Sequence, residues 1–163
     1  NWAPPPSGAN RRRAERCVMR GVVSCVEDAE AMRAERLPIV DDMPAMCRLI
    51  GSIAADAGYR VETTSNAVDF KATYERFRPT VVVLDLLIPD EDGIELLWYL
   101  HRKDHDGAIV IISGATKTMQ IAARTMAKGL CLCIADSFAK PFNVQKLRDS
   151  LMALRGTPTS RTA

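Results

Sequence analysis

The sequence predicts an α/β fold in which a five-stranded parallel sheet is covered by helices on both faces. Three observations predict it. From Leu37 onward short apolar runs alternate regularly with segments whose apolar residues repeat at helical spacing. The runs "VVVL" (Val81 to Leu84) and "AIVII" (Ala108 to Ile112) are apolar at every position, which is the mark of strands buried on both faces. Polar residues close four of the five proposed strands, and ligands of open parallel sheets collect beyond the carboxyl ends of their strands.

The elements follow in order. "LPIV" is the first strand, with Pro38 at its start, where a missing N–H is tolerated. Met46, Leu49, Ile50, Ile53, Ala54 and Ala57 line one face of a helix that Gly58 closes. "YRVETT" alternates as the second strand, and Ser65 is the expected cap of a helix carrying Ala67, Phe70, Tyr74 and Phe77 on one face, before Pro79. "TVVVL" is the third strand. Ile94, Leu97, Trp98 and His101 repeat the helical spacing, "AIVII" is the fourth strand, and a helix runs from about Lys117 to Lys128. The fifth strand falls within Leu130 to Ala139 with no clear start, and Val144, Leu147, Leu151 and Leu154 mark the last helix.

Composition narrows the function. The chain has 163 residues, 47% hydrophobic and 26% charged, as for a globular domain with tails. No apolar run approaches the roughly 18 residues of a membrane span. The net charge of +2 is uneven, because Asn1 to Arg36 holds seven Arg against five acids while Leu37 to Leu154 holds 13 basic against 15 acidic residues. The domain is therefore mildly acidic, with no sign of a nucleic-acid surface. "NWAPPPSGANRRRAER" lacks a signal-peptide core, and residues 1–36 read as an extension in which Arg11 to Arg13 are a solvated end. Cys17, Cys25, Cys47, Cys131 and Cys133 include no CxxC pair, and the expectation is buried, reduced thiols rather than a zinc site.

The polar strand ends are Asp41 and Asp42 after the first strand, Asp85 after the third, Ser113 after the fourth and Lys140 after the fifth. A carboxylate at the end of a run as apolar as "VVVLD" is expensive unless it is paired or has a task. The motifs "IVDD", "VVVLDLLIPDEDG", "VIISGAT" and "FAKPF" resemble those of the receiver domains of bacterial two-component response regulators, from Leu37 to about Leu154. Each motif alone is weak, since acidic pairs are usually solvated loop ends and Ser-Gly is usually a turn. Together, in this order and at strand ends, they are specific.

The resemblance implies a flavodoxin-like, doubly wound sheet of order 2-1-3-4-5 with five helices, a receiver domain over 37–154 and a tail over 155–163. It implies a signalling module rather than an enzyme, one that accepts a phosphoryl group on Asp85 from a sensor histidine kinase or phosphotransfer protein and slowly autodephosphorylates. It places magnesium in direct contact with Asp42 and Asp85, with Asp41 mostly through water, and with the backbone carbonyl of Leu87. Clustered carboxylates repel and need such a cation, and magnesium prefers oxygen ligands. Lys140 supplies a second cation, and the Ser113 hydroxyl meets the phosphoryl group. The implied setting is cytoplasmic, with possible homodimers and no direct nucleic-acid or membrane contact. Pro89 and Gly93 read as turn-formers, Asp90, Glu91 and Asp92 as solvated or helix-starting acids, and His101 and His105 as surface residues.

The chain departs from the family pattern in places. An aromatic commonly stands three residues before the lysine; that position is Ser137, with Phe138 one place later and facing the other way. "GLCLCIADSFAK" is longer than the common form. A degenerate receiver, kept for dimerisation or docking without phosphorylation, is the alternative. Phosphatases of the haloacid-dehalogenase type need a second Asp where Leu87 stands. Leu87 and Ala115 line the family's path for attacking water, which implies slow loss of the phosphoryl group.

Overall fold

The computed structural model describes residues 35–89 and 92–156. The expectations for Arg11 to Arg13, Cys17, Cys25, Asp90 and Glu91, and for the segments 1–34 and 157–163, fall outside the described residues.

Strands and helices alternate as β1 (Arg36–Val40), α1 (Pro44–Asp56), β2 (Arg60–Thr64), α2 (Ala67–Phe77), β3 (Val81–Leu84), α3 (Gly93–Arg102), β4 (Ala108–Ser113), α4 (Lys117–Gly129), β5 (Cys133–Ala139) and α5 (Val144–Leu154). All pairings are parallel and the order is β2-β1-β3-β4-β5, as expected. Because the chain winds outward in both directions from β1, the helices fall on both faces of the sheet.

The uniformly apolar runs become the centre. Val81, Val83, Ala108, Val110 and Ile112 pack with α1 and α5, through Ile50, Ile53, Leu147 and Leu151. Val82, Leu84, Ile109 and Ile111 pack with α2, α3 and α4, through Phe70, Leu96, Leu97, Leu100 and Ala123. Each large side chain so buried stabilises the fold by about 1.5–3 kcal/mol before entropy is counted. Tyr59 adds a polar tie by donating its hydroxyl to the Leu151 carbonyl at 2.8 Å. Among the described residues, no helix is long and apolar enough to cross a membrane.

Several local expectations need correction. Asn66, not Ser65, caps α2, its side chain accepting from the Asp69 amide at 2.8 Å. Pro38 is the third residue of β1, and it is tolerated because pairing with β3 begins only at Ile39. The fifth strand starts at Cys133, and its register with β4 slips by one residue between Ile134 and Asp136, which absorbs extra length as a bulge at Ala135. Cys47 is buried as expected, but Cys131 and Cys133 are exposed. They flank buried Leu132 at the sheet edge, where only one side of the chain meets the core.

His101 is exposed, its Nδ1 3.0 Å from the Leu130 carbonyl. His105 is buried, contrary to its reading as a surface residue. After α3 ends, Asp104 takes a left-handed φ of 49° and the His105 amide donates back to the Leu100 carbonyl at 3.0 Å, which returns the ring to the interior. There its Nδ1 lies 3.0 Å from the Tyr74 hydroxyl.

Candidate functional site

The parallel sheet brings the ends of β1, β3, β4 and β5 to one edge. Backbone bonds fix their relative heights: the Asp85 amide donates to the Val40 carbonyl at 3.0 Å and the Lys140 amide to the Ser113 carbonyl at 3.0 Å. Asp41, Asp85, Ser113 and Lys140 thereby converge, and Asp41 and Asp85 flank the point where the strand order reverses.

Asp85 is 3% exposed, so its charge must be compensated locally. Its Oδ1 accepts from the Leu87 amide at 2.9 Å and from the Ser113 hydroxyl at 2.6 Å, while Oδ2 meets the Lys140 ammonium at 2.6 Å. Asp41, also buried, accepts from the Met43 amide at 2.9 Å and pairs with Lys140 at 2.5 Å. Burial pushes the Asp41 carboxyl above its ordinary value, although the Lys140 and Met43 bonds pull it down. The same burial works against the charge on Lys140, but hydrogen bonds to Asp41 and Asp85 outweigh it and raise the ammonium above its ordinary value.

Asp42 is exposed, and carboxylate oxygens of Asp41, Asp42 and Asp85 lie within 4.8 Å of one another. Among the described residues, this group of three carboxylates is paired with one ammonium, that of Lys140, through Asp41 and Asp85. The excess negative charge and the all-oxygen donor set fit a hard divalent cation such as magnesium. The Leu87 side chain is 45% exposed while its amide turns in to Asp85. Asp92 stands apart from the cluster and caps α3 by accepting from the Ile94 amide at 3.0 Å.

Gly93 has a different reason from the expected turn. It is the first residue of α3, and a Cβ there would stand 2.5 Å from the Leu86 Cα and 2.7 Å from the Asp85 carbonyl oxygen. Only a residue without a side chain lets α3 start this close to the strand end that carries Asp85.

Ser137 and Phe138 divide as the alternation implied. Ser137 pairs with Ile111 on the face of α2, α3 and α4, and its Oγ is buried without a hydrogen-bond partner. Phe138 pairs with Ile112 and packs on the opposite face, its ring 6.4 Å from that of Phe142.

Two contributors escaped the sequence. Cys47 donates its thiol to the Asp41 carbonyl at 3.2 Å, and burial pushes that thiol up, keeping it protonated. Gln120 donates its side-chain amide to the Ala115 carbonyl at 3.0 Å and lies 3.4 Å from the Ser113 carbonyl. The available signal for Gln120 was its place four residues after the α4 cap, Thr116, since helical side chains lean back toward the N-terminus.

The chain belongs to the response regulator receiver domain family, whose model it matches over residues 37–152. It is 28% identical over 120 residues to sporulation initiation phosphotransferase F of Bacillus subtilis, covering 74% of this chain and 93% of that protein. It is 26% identical over 148 residues to the transcriptional regulatory protein TrcR of Mycobacterium tuberculosis, covering 91% of this chain. The chain spans 55% of the length of TrcR and 47% of that of TcrX from the same organism. Among solved structures, a response regulator from Colwellia psychrerythraea superposes with a TM-score of 0.63 at 28% identity, over 74% of this chain and 95% of that one. A CheY-like receiver from Methanospirillum hungatei, at 23% identity and a TM-score of 0.65 over 74% of this chain and 92% of that one, shares the fold.

Proposed function

We propose that this receiver accepts a phosphoryl group on Asp85 from a phosphohistidine of a sensor kinase or phosphotransfer protein, in cytoplasmic two-component or phosphorelay signalling. The observation that carries it is the setting of Asp85: a buried carboxylate held by Ser113, Lys140 and the Leu87 amide beside two further carboxylates. The phosphoryl-accepting unit spans 37–154, with 1–36 as an extension and 155–163 as a tail.

A carboxylate such as that of Asp85 is itself a nucleophile and needs no base to activate it. Its oxygen forms a bond to phosphorus as the phosphorus–nitrogen bond of the donor histidine breaks, and that imidazole keeps the electron pair. Lys140 holds positive charge against Asp85 Oδ2, next to where charge develops. The Ser113 hydroxyl, now on Oδ1, is within reach to donate to an arriving phosphoryl oxygen. Asp41, Asp42, Asp85 and the Leu87 carbonyl would hold magnesium, whose charge offsets that of the transferred group. Slow hydrolysis of the aspartyl phosphate returns the domain to its resting state.

Ser137 favours a second reading, a docking or dimerisation module without phosphorylation, because β5 itself carries no aromatic residue on its α4 side. One experiment separates the two. Beryllofluoride with magnesium mimics the phosphoryl group, and saturable tryptophan fluorescence change, reported by half-exposed Trp98 on α3, supports acceptance. Absence of any binding supports the docking module.

A further inference from the structure

Ser113 is engaged through both its hydroxyl and its carbonyl. Its hydroxyl donates to Asp85 and accepts from the Ala115 amide at 3.1 Å, and its carbonyl accepts from the Lys140 amide. The segment that must keep this arrangement is Ser113-Gly114-Ala115. The Ala115 methyl is buried in the core cluster, but Gly114 is exposed with open space where a side chain would be, and glycine is the residue least able to hold its own backbone. On the α4 side of β5, where a ring would brace the segment, Ser137 is small and its Oγ has no partner.

A further brace is Gln120. Its backbone amide donates to Thr116 at 3.0 Å, which fixes it one turn into α4, and its side chain leans back to the Ser113 and Ala115 carbonyls. We infer that Gln120 is a positioning residue: its amide clamps the carbonyls on either side of Gly114 and so holds the Ser113 hydroxyl on the phospho-acceptor. The inference rests on the proposed role of Asp85, for which the Ser113 hydroxyl is the contact being placed. It assigns to a hydrogen-bonding side chain on α4 the restraint that a ring on β5 does not provide here.

The test compares Gln120→Met, which keeps length but cannot donate, and Gln120→Lys, which restores a donor, with Ser113→Ala and the double variant Gln120→Met/Ser113→Ala. Two quantities are read: hydrogen exchange of the Ala115 amide in the resting protein, and affinity for beryllofluoride with magnesium. Gln120→Met should speed Ala115 exchange and weaken beryllofluoride binding by ~5-fold, the effect of about one net hydrogen bond. Gln120→Lys should recover part of both. The double variant should bind no more weakly than Ser113→Ala alone, because Gln120 acts through that hydroxyl. Unchanged Ala115 exchange in Gln120→Met, or losses that add fully in the double variant, would overturn the inference. A wild-type protein that does not bind beryllofluoride would sink the acceptance reading instead, and Ala115 exchange would then decide the role of Gln120 by itself.

Discussion

At the scale of single residues, Asp41, Asp85, Ser113 and Lys140 are each held by a named partner, whereas the buried His105 Nε2, like the Ser137 Oγ, has none. Burial pushes the His105 ring down to about 4, against the favourable field of Asp106. The neutral ring therefore contributes stability that is complete above the unfolded value of about 6.5 and is lost as pH falls from there toward 4. Between pH 6.5 and 5 the loss should be about 1.5 kcal/mol, read by urea unfolding across that range. His105→Gln should flatten this part of the profile; equal slopes in both proteins would assign the loss to other groups. Leu87 offers a second residue-scale expectation. Its side chain is half exposed at the site and cannot orient water, so Leu87→Asn should shorten the lifetime of the aspartyl phosphate by ~10-fold, about 1.4 kcal/mol of barrier. Decay is followed after removing the phosphoryl donor, and an unchanged half-life would refute the water-placement argument. Ala115 is the poorer place for a polar probe because it is buried.

At the scale of elements, the site depends on where helices and loops begin. Gly93 lets α3 start against the backbone of Asp85 and Leu86, so Gly93→Ala must displace that backbone and should cost about 1–3 kcal/mol of stability in urea. A neutral effect would mean that the loop yields freely. The same element boundaries explain what the sequence did and did not disclose. Asp41, Asp42, Asp85 and Ser113 were legible because each follows or ends an apolar run, and Lys140 because it stands in the motif "FAKPF" at the end of the fifth strand; parallel pairing makes strand ends neighbours. Gln120 was not legible, because its role depends on the side chain reaching back over a loop. The burial of His105 was hidden by a left-handed Asp104, and the capping of α2 by a neighbouring residue of similar chemistry. The exposure of Cys131 and Cys133 follows from β5 being an edge strand, which the order of the sheet decides and local hydrophobicity does not.

At the scale of the whole molecule, the alternation of apolar runs and helical periods carried the architecture, since two-sided burial of β3 and β4 admits only a sheet with helices on both faces. The strand order came from family resemblance, because periodicity does not say which strands are adjacent. The result of that order is a switch point between β1 and β3 at which Asp41 and Asp85 share one lysine. The central claim is that this arrangement makes Asp85 the phospho-acceptor. The most direct measurement is acid-labile phosphate incorporation from acetyl phosphate in the presence of magnesium, comparing the wild type with Asp85→Asn. Labelling of the wild type and its abolition in Asp85→Asn is the predicted result; undiminished labelling of Asp85→Asn, or none in either protein, would contradict it.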